Sequence, residues 1–303
     1  MKDCPQFKEK ASIMTAVYMY PLFLALLLGL LGCTLSQEAK ANEAAADEPP
    51  PLRLACRLAN YGAYQDIALE HVRDMGLKYV FMSIPKPEEV DDVLAQMEAY
   101  GLEVLVVRGD TNLSQESSVA ELAEQAATCA RLGVRYMFLS PKRHDAPKEI
   151  VYERLRQAGD AAAEHDVTIV LETHPDLGTN AAVHLETMRA INHPNVRVNF
   201  DTGNITFYNE GMDPVRELEK CIEYVAAVEV KDHNAELESW FFPALGEGVI
   251  DFPAFFKVLR DHGYSGPVTL EVEGIKGVEW TEEIKRKVME DSVAYLRAIE
   301  SFE

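Results

Sequence analysis

Four short apolar segments in the second half of the chain each end in acid: TIVLETH (168–174), VRVNFDTGN (196–204), VAAVEVKDH (225–233) and PVTLEVE (267–273). Side chains two apart on a strand share a face. One face therefore carries Ile169, Leu171, Val196, Val198, Phe200, Val228, Val230, Val268, Leu270 and Val272, which suits a covering layer of helices. The opposite face carries Glu172, His174, Asn199, Asp201, Glu229, Lys231, His233, Glu271 and Glu273. Carboxylates crowded at strand ends repel one another and lose hydration unless a proton or a cation compensates them. A divalent metal ion is the economical counter-charge.

From Leu52 onward, short apolar strands alternate with amphipathic helices, the pattern of βαβ units and a parallel sheet. LRLACRL (52–58), YVFMSI (79–84), EVLVVRG (103–109) and YMFLSP (136–141) read as the first four strands, and the acid-tipped segments as the fifth to eighth. Helices are expected at Gln65–Met75, after Pro85 and Pro87 up to Gly101, at Ser117–Leu132 and from Pro147 onward. Four more are expected near 179–190, 213–225, 251–262 and 281–301. Eight strands, each followed by a helix, predict a single closed (β/α)8 barrel, a TIM barrel, over 52–303. An open doubly wound sheet would carry a Gly-rich loop after its first strand, and Arg57–Ala63 holds one glycine. The long connection Asn234–Ile250, with Trp240, Phe241 and Phe242, falls on the barrel face where active sites are found. It either covers a substrate or packs against the rim.

The 303 residues include 50 Asp plus Glu against 29 Lys plus Arg, a formal net charge of −21, which argues against binding a nucleic-acid backbone. Residues 1–33 have the layout of a signal peptide: lysines at 2, 8 and 10, an apolar run from Ala16 to Leu31, and a close on Leu-Leu-Gly-Cys. Those last four residues resemble a bacterial lipobox, which implies that Cys33 is lipidated after cleavage. Residues 34–51, rich in Ala, Glu and Pro from Gln37 on, read as a flexible linker. The expected location is extracytoplasmic, in the periplasm or cell envelope, with the membrane touched only through an N-terminal lipid anchor. Beyond the leader, Cys56, Cys129 and Cys221 have no spacing that suggests a zinc knuckle or a disulfide framework. Nothing in the pattern specifies an oligomeric state.

The motifs Leu171-Glu172-Thr173-His174, Asp201-Thr202-Gly203-Asn204, Val230-Lys231-Asp232, Leu245-Gly246-Glu247-Gly248 with Asp251, and Gly263-Tyr264-Ser265-Gly266 leading to Glu271-Val272-Glu273 occur in that order. Through them the chain from Leu52 onward resembles the xylose isomerase-like TIM barrel superfamily, in particular its sugar phosphate isomerase/epimerase branch. The resemblance implies a divalent metal held by Glu172, Asp201, Glu229 and Glu271. Two positions depart from that branch, which often has histidine where Glu229 and Asn204 stand here. A ligand set so rich in carboxylate favours Mn²⁺ or Mg²⁺ over Zn²⁺. The alternative is that Glu229 pairs with Lys231 and the metal is lost or weakly held.

The reaction this implies is metal-dependent isomerisation or epimerisation of a sugar or related polyol, by proton transfer through an enediolate. Glu172 and Glu271 would act as base and acid from opposite sides of the substrate. His174, Lys231 and His233 are candidates for substrate hydroxyls. Arg57, Arg108 and Lys142, at the ends of the first, third and fourth strands, could bind a hydroxyl, carboxylate or phosphate, or form rim salt bridges. His71, His165, His184, His193 and His262 receive no role. Two alternatives stand beside this reading: a dehydratase or lyase of keto-sugars or cyclitols on the same barrel, and a non-catalytic carbohydrate-binding lipoprotein. The abasic-site endonuclease branch is opposed by the acidic balance and the export signal.

Overall fold

The computed structural model describes residues 50–303; the signal-peptide reading of 1–33, the lipidation of Cys33 and nearly all of the 34–51 linker lie outside the described residues. Seven strands pair in parallel in chain order: β1 (Arg53–Arg57), β2 (Tyr79–Ser83), β3 (Glu103–Arg108), β4 (Tyr136–Leu139), β5 (Thr168–Glu172), β6 (Val196–Asp201) and β7 (Val225–Val230). A two-residue strand β8 (Phe241–Phe242) stands apart, and β9 (Pro267–Leu270) closes the barrel by pairing with both β7 and β1. The expected (β/α)8 barrel is the observed one. Its last barrel strand is therefore β9, and every strand end converges on one rim.

Alternation along the strands builds two cores. The outward residues, among them Ile169, Leu171, Phe200, Val228 and Leu270, are buried beneath the helices. The inward residues Ala55, Phe81, Val106, Phe138, Val170 and Ala227 plug the barrel's interior. Leu171 is fully buried, so Leu171→Ala would cost about 2–5 kcal/mol. The helices end where their stop residues require: Gly101 and Gly133 sit at φ 66° and 73°, left-handed backbone that glycine adopts without a Cβ clash.

Three local differences from the sequence reading matter at the rim. The first helix is broken into a 3-10 stretch, Leu58–Ile67, and α1 (Ala68–Asp74), with a kink at Gly62. The sixth strand stops at Asp201, not Asn204, because the Asp201 carboxylate accepts the Asn204 N–H and caps a short helix, Thr202–Tyr208. The eighth barrel strand stops at Leu270. The chain then forms β10 (Gly274–Ile275), which pairs antiparallel with β8 and fixes the aromatic loop beside the rim.

Candidate metal centre and active site

The inward positions at the ends of β5, β6, β7 and β9 place Glu172, Asp201, Glu229 and Glu271 together, all buried. Carboxylate oxygens of Glu172, Asp201 and Glu229 lie within 4.8 Å of one another, close enough to share one ion. Glu271 is held differently. Its Oε1 accepts from Arg57 Nη1, and its Oε2 lies 2.7 Å from Lys231 Nζ.

Two basic side chains thus penetrate the acid cluster. Arg57, from the end of β1, bonds Glu229 at 2.8 Å as well as Glu271, and its guanidinium lies about 5 Å from the rings of Phe81 and Phe138. Lys231 reaches Asp201 and Glu273, each at 3.1 Å, in addition to Glu271. The sequence alternative of a Glu229–Lys231 pair is replaced by Glu229–Arg57, a contact that forms because closing the barrel sets β1 against β9, one strand away from β7. Gly203 makes room for Lys231: a Cβ there would stand 2.9 Å from its Cγ.

The electrostatics follow from burial against pairing. Burial pushes the Asp201 carboxyl up to about 7, against the pull of Lys231. Burial also raises Glu229 well above the usual carboxylate range, with Glu271 adding to the rise and Arg57 opposing it. Burial pushes Glu271 the same way but is outweighed by Arg57 and Lys231, which hold it below the usual range. For Lys231, burial favours the neutral amine but is overcome by Asp201, Glu271 and Glu273, so its pKa is well above the usual value. Five carboxylates, counting Glu273, meet two cations. Asp201 Oδ2 is buried without a hydrogen bond, its contact with Lys231 being an ion pair at 3.1 Å. The remaining negative charge and the three convergent oxygens fit a divalent cation.

Polar neighbours hold these groups in place. Asn199 donates to Glu229 Oε2 at 2.8 Å. Asn204, where the related branch often has histidine, donates to Glu172 at 3.3 Å and accepts from Lys231 at 3.1 Å, so it ties one acid to one cation. Thr173 Oγ1 accepts the Asp201 N–H at 3.1 Å and is itself 3.0 Å from His184 Nε2. His184, given no role from sequence, therefore backs the site. No local signal marks it, because its contact comes from a helix folding back onto the strand. Asp232 accepts from Gly246, Gly248 and Ile250, pinning the following loop, and a Cβ on Gly248 would collide with its Oδ1 at 2.1 Å.

Above the acids opens a cavity of about 330 Å³. Glu172, Glu271, Arg57, Lys231 and His174 line it, as do Arg108 and Lys142, while Trp240, Phe242, Phe207 and Tyr208 form an aromatic wall. In the aromatic loop Phe242 is buried in packing, and Trp240 is 44% exposed and lines the cavity. His174 Nδ1 contacts Pro175 O, and its ring stands edge-on to Tyr208. His233 is not among the lining residues. Its two ring nitrogens are engaged by Thr206 at 2.7 Å and Ser239 O at 2.8 Å, its ring stacks on Phe242, and burial lowers its pKa.

Residues 69–299 match the family described as the xylose isomerase-like TIM barrel. The chain belongs to that family. An inosose dehydratase of Erwinia tasmaniensis is 29% identical over 160 residues, covering 46% of this chain and 53% of the relative. The chain spans about half the length of the curated relatives it matches. Among solved structures, an L-ribulose 3-epimerase superposes with a TM-score of 0.67 at 18% identity, over 82% of this chain and 94% of the other. IOLI protein with a binding zinc atom gives 0.67 at 20% identity, over 83% and 100%. At these identities the structural likenesses establish the fold.

Proposed function

We propose that this xylose isomerase-like TIM barrel is a metal-dependent isomerase or epimerase of a sugar or related polyol, working by proton transfer through an enediolate. The observation that carries the reading is the convergence of Glu172 and Glu271 on one cavity floor, with Asp201 and Glu229 directly behind. Glu172, Asp201 and Glu229 would hold the ion, and Glu271 would join them by exchanging a cation contact. When bound, the ion supplies charge stabilisation for the oxyanion that develops beside the carbon losing its proton. Glu271, kept ionised by Arg57 and Lys231, is suited to remove that proton. Glu172 faces the same cavity and returns a proton on the opposite side. The cation contact that Glu271 retains orients it, and the aromatic residues wall one side of the cavity.

A dehydratase or lyase outcome uses the same groups: after Glu271 takes the proton, the neighbouring C–O bond breaks, the electron pair of the broken C–H bond forms the double bond, and Glu172 gives its proton to the departing hydroxyl, which leaves as water. The likeness to an inosose dehydratase favours keeping that outcome within the proposal. The carboxylate donors favour Mn²⁺ or Mg²⁺ over Zn²⁺. The leader supports an extracytoplasmic location with Cys33 as a lipid attachment point. A second reading, a carbohydrate-binding lipoprotein without turnover, is favoured by the two resident cations, which already neutralise part of the acid cluster.

Calorimetry on the chelator-treated protein separates the two. Titration with Mn²⁺, Mg²⁺ and Zn²⁺ should give one-to-one binding that weakens at least about tenfold in Glu229→Ala. Absence of binding by any of the three would discard the metal-dependent enzyme in favour of the binding protein.

A further inference from the structure

The mouth of the cavity is richer in cations than the acidic chain that builds it. The whole sequence has a net charge of −21, yet the lining carries four cations, Arg57, Arg108, Lys142 and Lys231, against the three carboxylates of Glu172, Glu271 and Glu273. Those cations fall into two pairs. Arg57 and Lys231 are committed to acids, with ion-pair distances of 3.1 Å or less. Arg108 and Lys142 form no ion pair, and their side chains make no hydrogen bond, among the described residues. In a chain with acid to spare, two cations left without acid partners at one cavity mouth are placed for a charge that the protein does not itself supply.

Their position says where that charge lies. Arg108 ends β3 opposite Phe138 of β4, and Lys142 follows four residues after Phe138, so both belong to the wall formed by those two adjacent strands. Ser140 lines the cavity between them in sequence. Glu172, Glu271 and Glu273 enter from the later strands. Arg108 also borders a neighbouring chamber of about 330 Å³ over the ends of β1 to β3, whose lining contains Ser83, Gln65 and Arg57 but no carboxylate. Arg108 thus has one side free of carboxylates, and the cavity that it lines together with Lys142 is where one anionic group can meet both. Arg offers a planar fork that matches a carboxylate or phosphate, and Lys adds a mobile point charge.

We propose that Arg108 and Lys142 form an anion subsite that takes a carboxylate or phosphate on the substrate, at the end remote from the reacting carbons, making the substrate class acidic sugars. This rests on the reading of the cavity as the substrate site. It deepens that reading by separating the three basic residues expected at the rim: Arg57 orients the catalytic base, Glu271, whereas Arg108 and Lys142 select the substrate.

The test is equilibrium binding of D-glucuronate, D-glucose 6-phosphate and D-glucose to the Mn²⁺-loaded protein and to Arg108→Met, Lys142→Met and Arg108→Lys. The expected result is at least a tenfold preference of the wild type for one of the two anions over glucose. That preference should fall about tenfold or more in each methionine variant and be largely retained in Arg108→Lys. Preference for glucuronate identifies the group as a carboxylate, and preference for glucose 6-phosphate identifies a phosphate. Equal binding of charged and neutral sugars, or an anion preference untouched by both methionine variants, overturns the subsite while leaving the enzyme reading in place. Failure of all three probes to bind overturns both together. Unchanged thermal midpoints in the variants establish that these exposed positions are not needed for folding.

Discussion

The two ends of the barrel each hold a cavity, and the larger one is at the end with less chemistry. At the N-terminal ends of the strands, Tyr136, Val225, Ala226 and the turn Gly263–Gly266 enclose about 400 Å³. The C-terminal cavity measures about 330 Å³. The first has Glu223 and His262 at its edge, and Tyr264, whose hydroxyl donates to Pro267 O at 2.6 Å. The second stands over five carboxylates and two cations. Volume therefore does not single out the site. Converging charges do so: Arg57 and Lys231 reach into a cluster of buried carboxylates, among which Asp201 and Glu229 are raised and Glu271 is lowered.

The largest expected effect that would break this comparison is on turnover. Glu271→Gln should lower the rate by about 10²- to 10⁴-fold with the far-ultraviolet circular dichroism unchanged, because it removes the group placed to accept the proton. Retention of most of the wild-type rate would take the chemistry away from this end. A smaller effect sharpens the contrast through pH. Burial lowers His184, behind Thr173, from 6.5 to about 3, so the folded protein keeps it neutral while the unfolded chain protonates it below about 6.5. Its stabilising contribution is then complete above that pH and is lost progressively as the pH falls from 6.5 towards 3. Between pH 7 and pH 5 the loss is about 2 kcal/mol. Because Asp201, raised to about 7, gains stability over the same interval, the His184 loss is read as a difference. Urea denaturation at the two pH values should show His184→Gln losing about 2 kcal/mol less than the wild type on going from pH 7 to pH 5, and an identical pH dependence in the two proteins would place the acid sensitivity elsewhere. The smallest effect belongs to the other end. Tyr264→Phe should cost about 1 kcal/mol for its hydrogen bond and leave turnover unchanged. A large rate loss in that variant would erase the distinction between the ends.

Much of the frame was legible in the sequence because a barrel strand repeats every two residues and its helices stop at glycine or start at proline. That periodicity sorted Leu171 from Glu172 and Val230 from Lys231, and it placed Glu172, Asp201, Glu229 and Glu271 on one face. It could not foresee which cation would meet which acid. Lys231 shares a strand face with Glu229, which made their pairing the natural expectation, but the partner of Glu229 is Arg57, 172 positions earlier. Contacts across barrel closure leave no local pattern. The same holds for Asn60, which bonds Leu270 O and Val272 N and so ties the end of β9 to the first loop. The early end of β6 was hidden for a different reason: Asp201 continues the strand's alternation and is also a helix cap, and only the capping contact reveals the second role.

Arg57 and Lys231 also bear on how the molecule is made. A cluster of acids with no counter-charge of its own would need an ion present for the strand ends to close, and the nascent chain would depend on finding one in time. With two cations built into the cluster, the barrel can reach its final shape first and acquire metal afterwards. Biogenesis and loading then become separate events. On the proposed function, a folded apoprotein would be a stable stock whose activity is set by ion supply after synthesis is over.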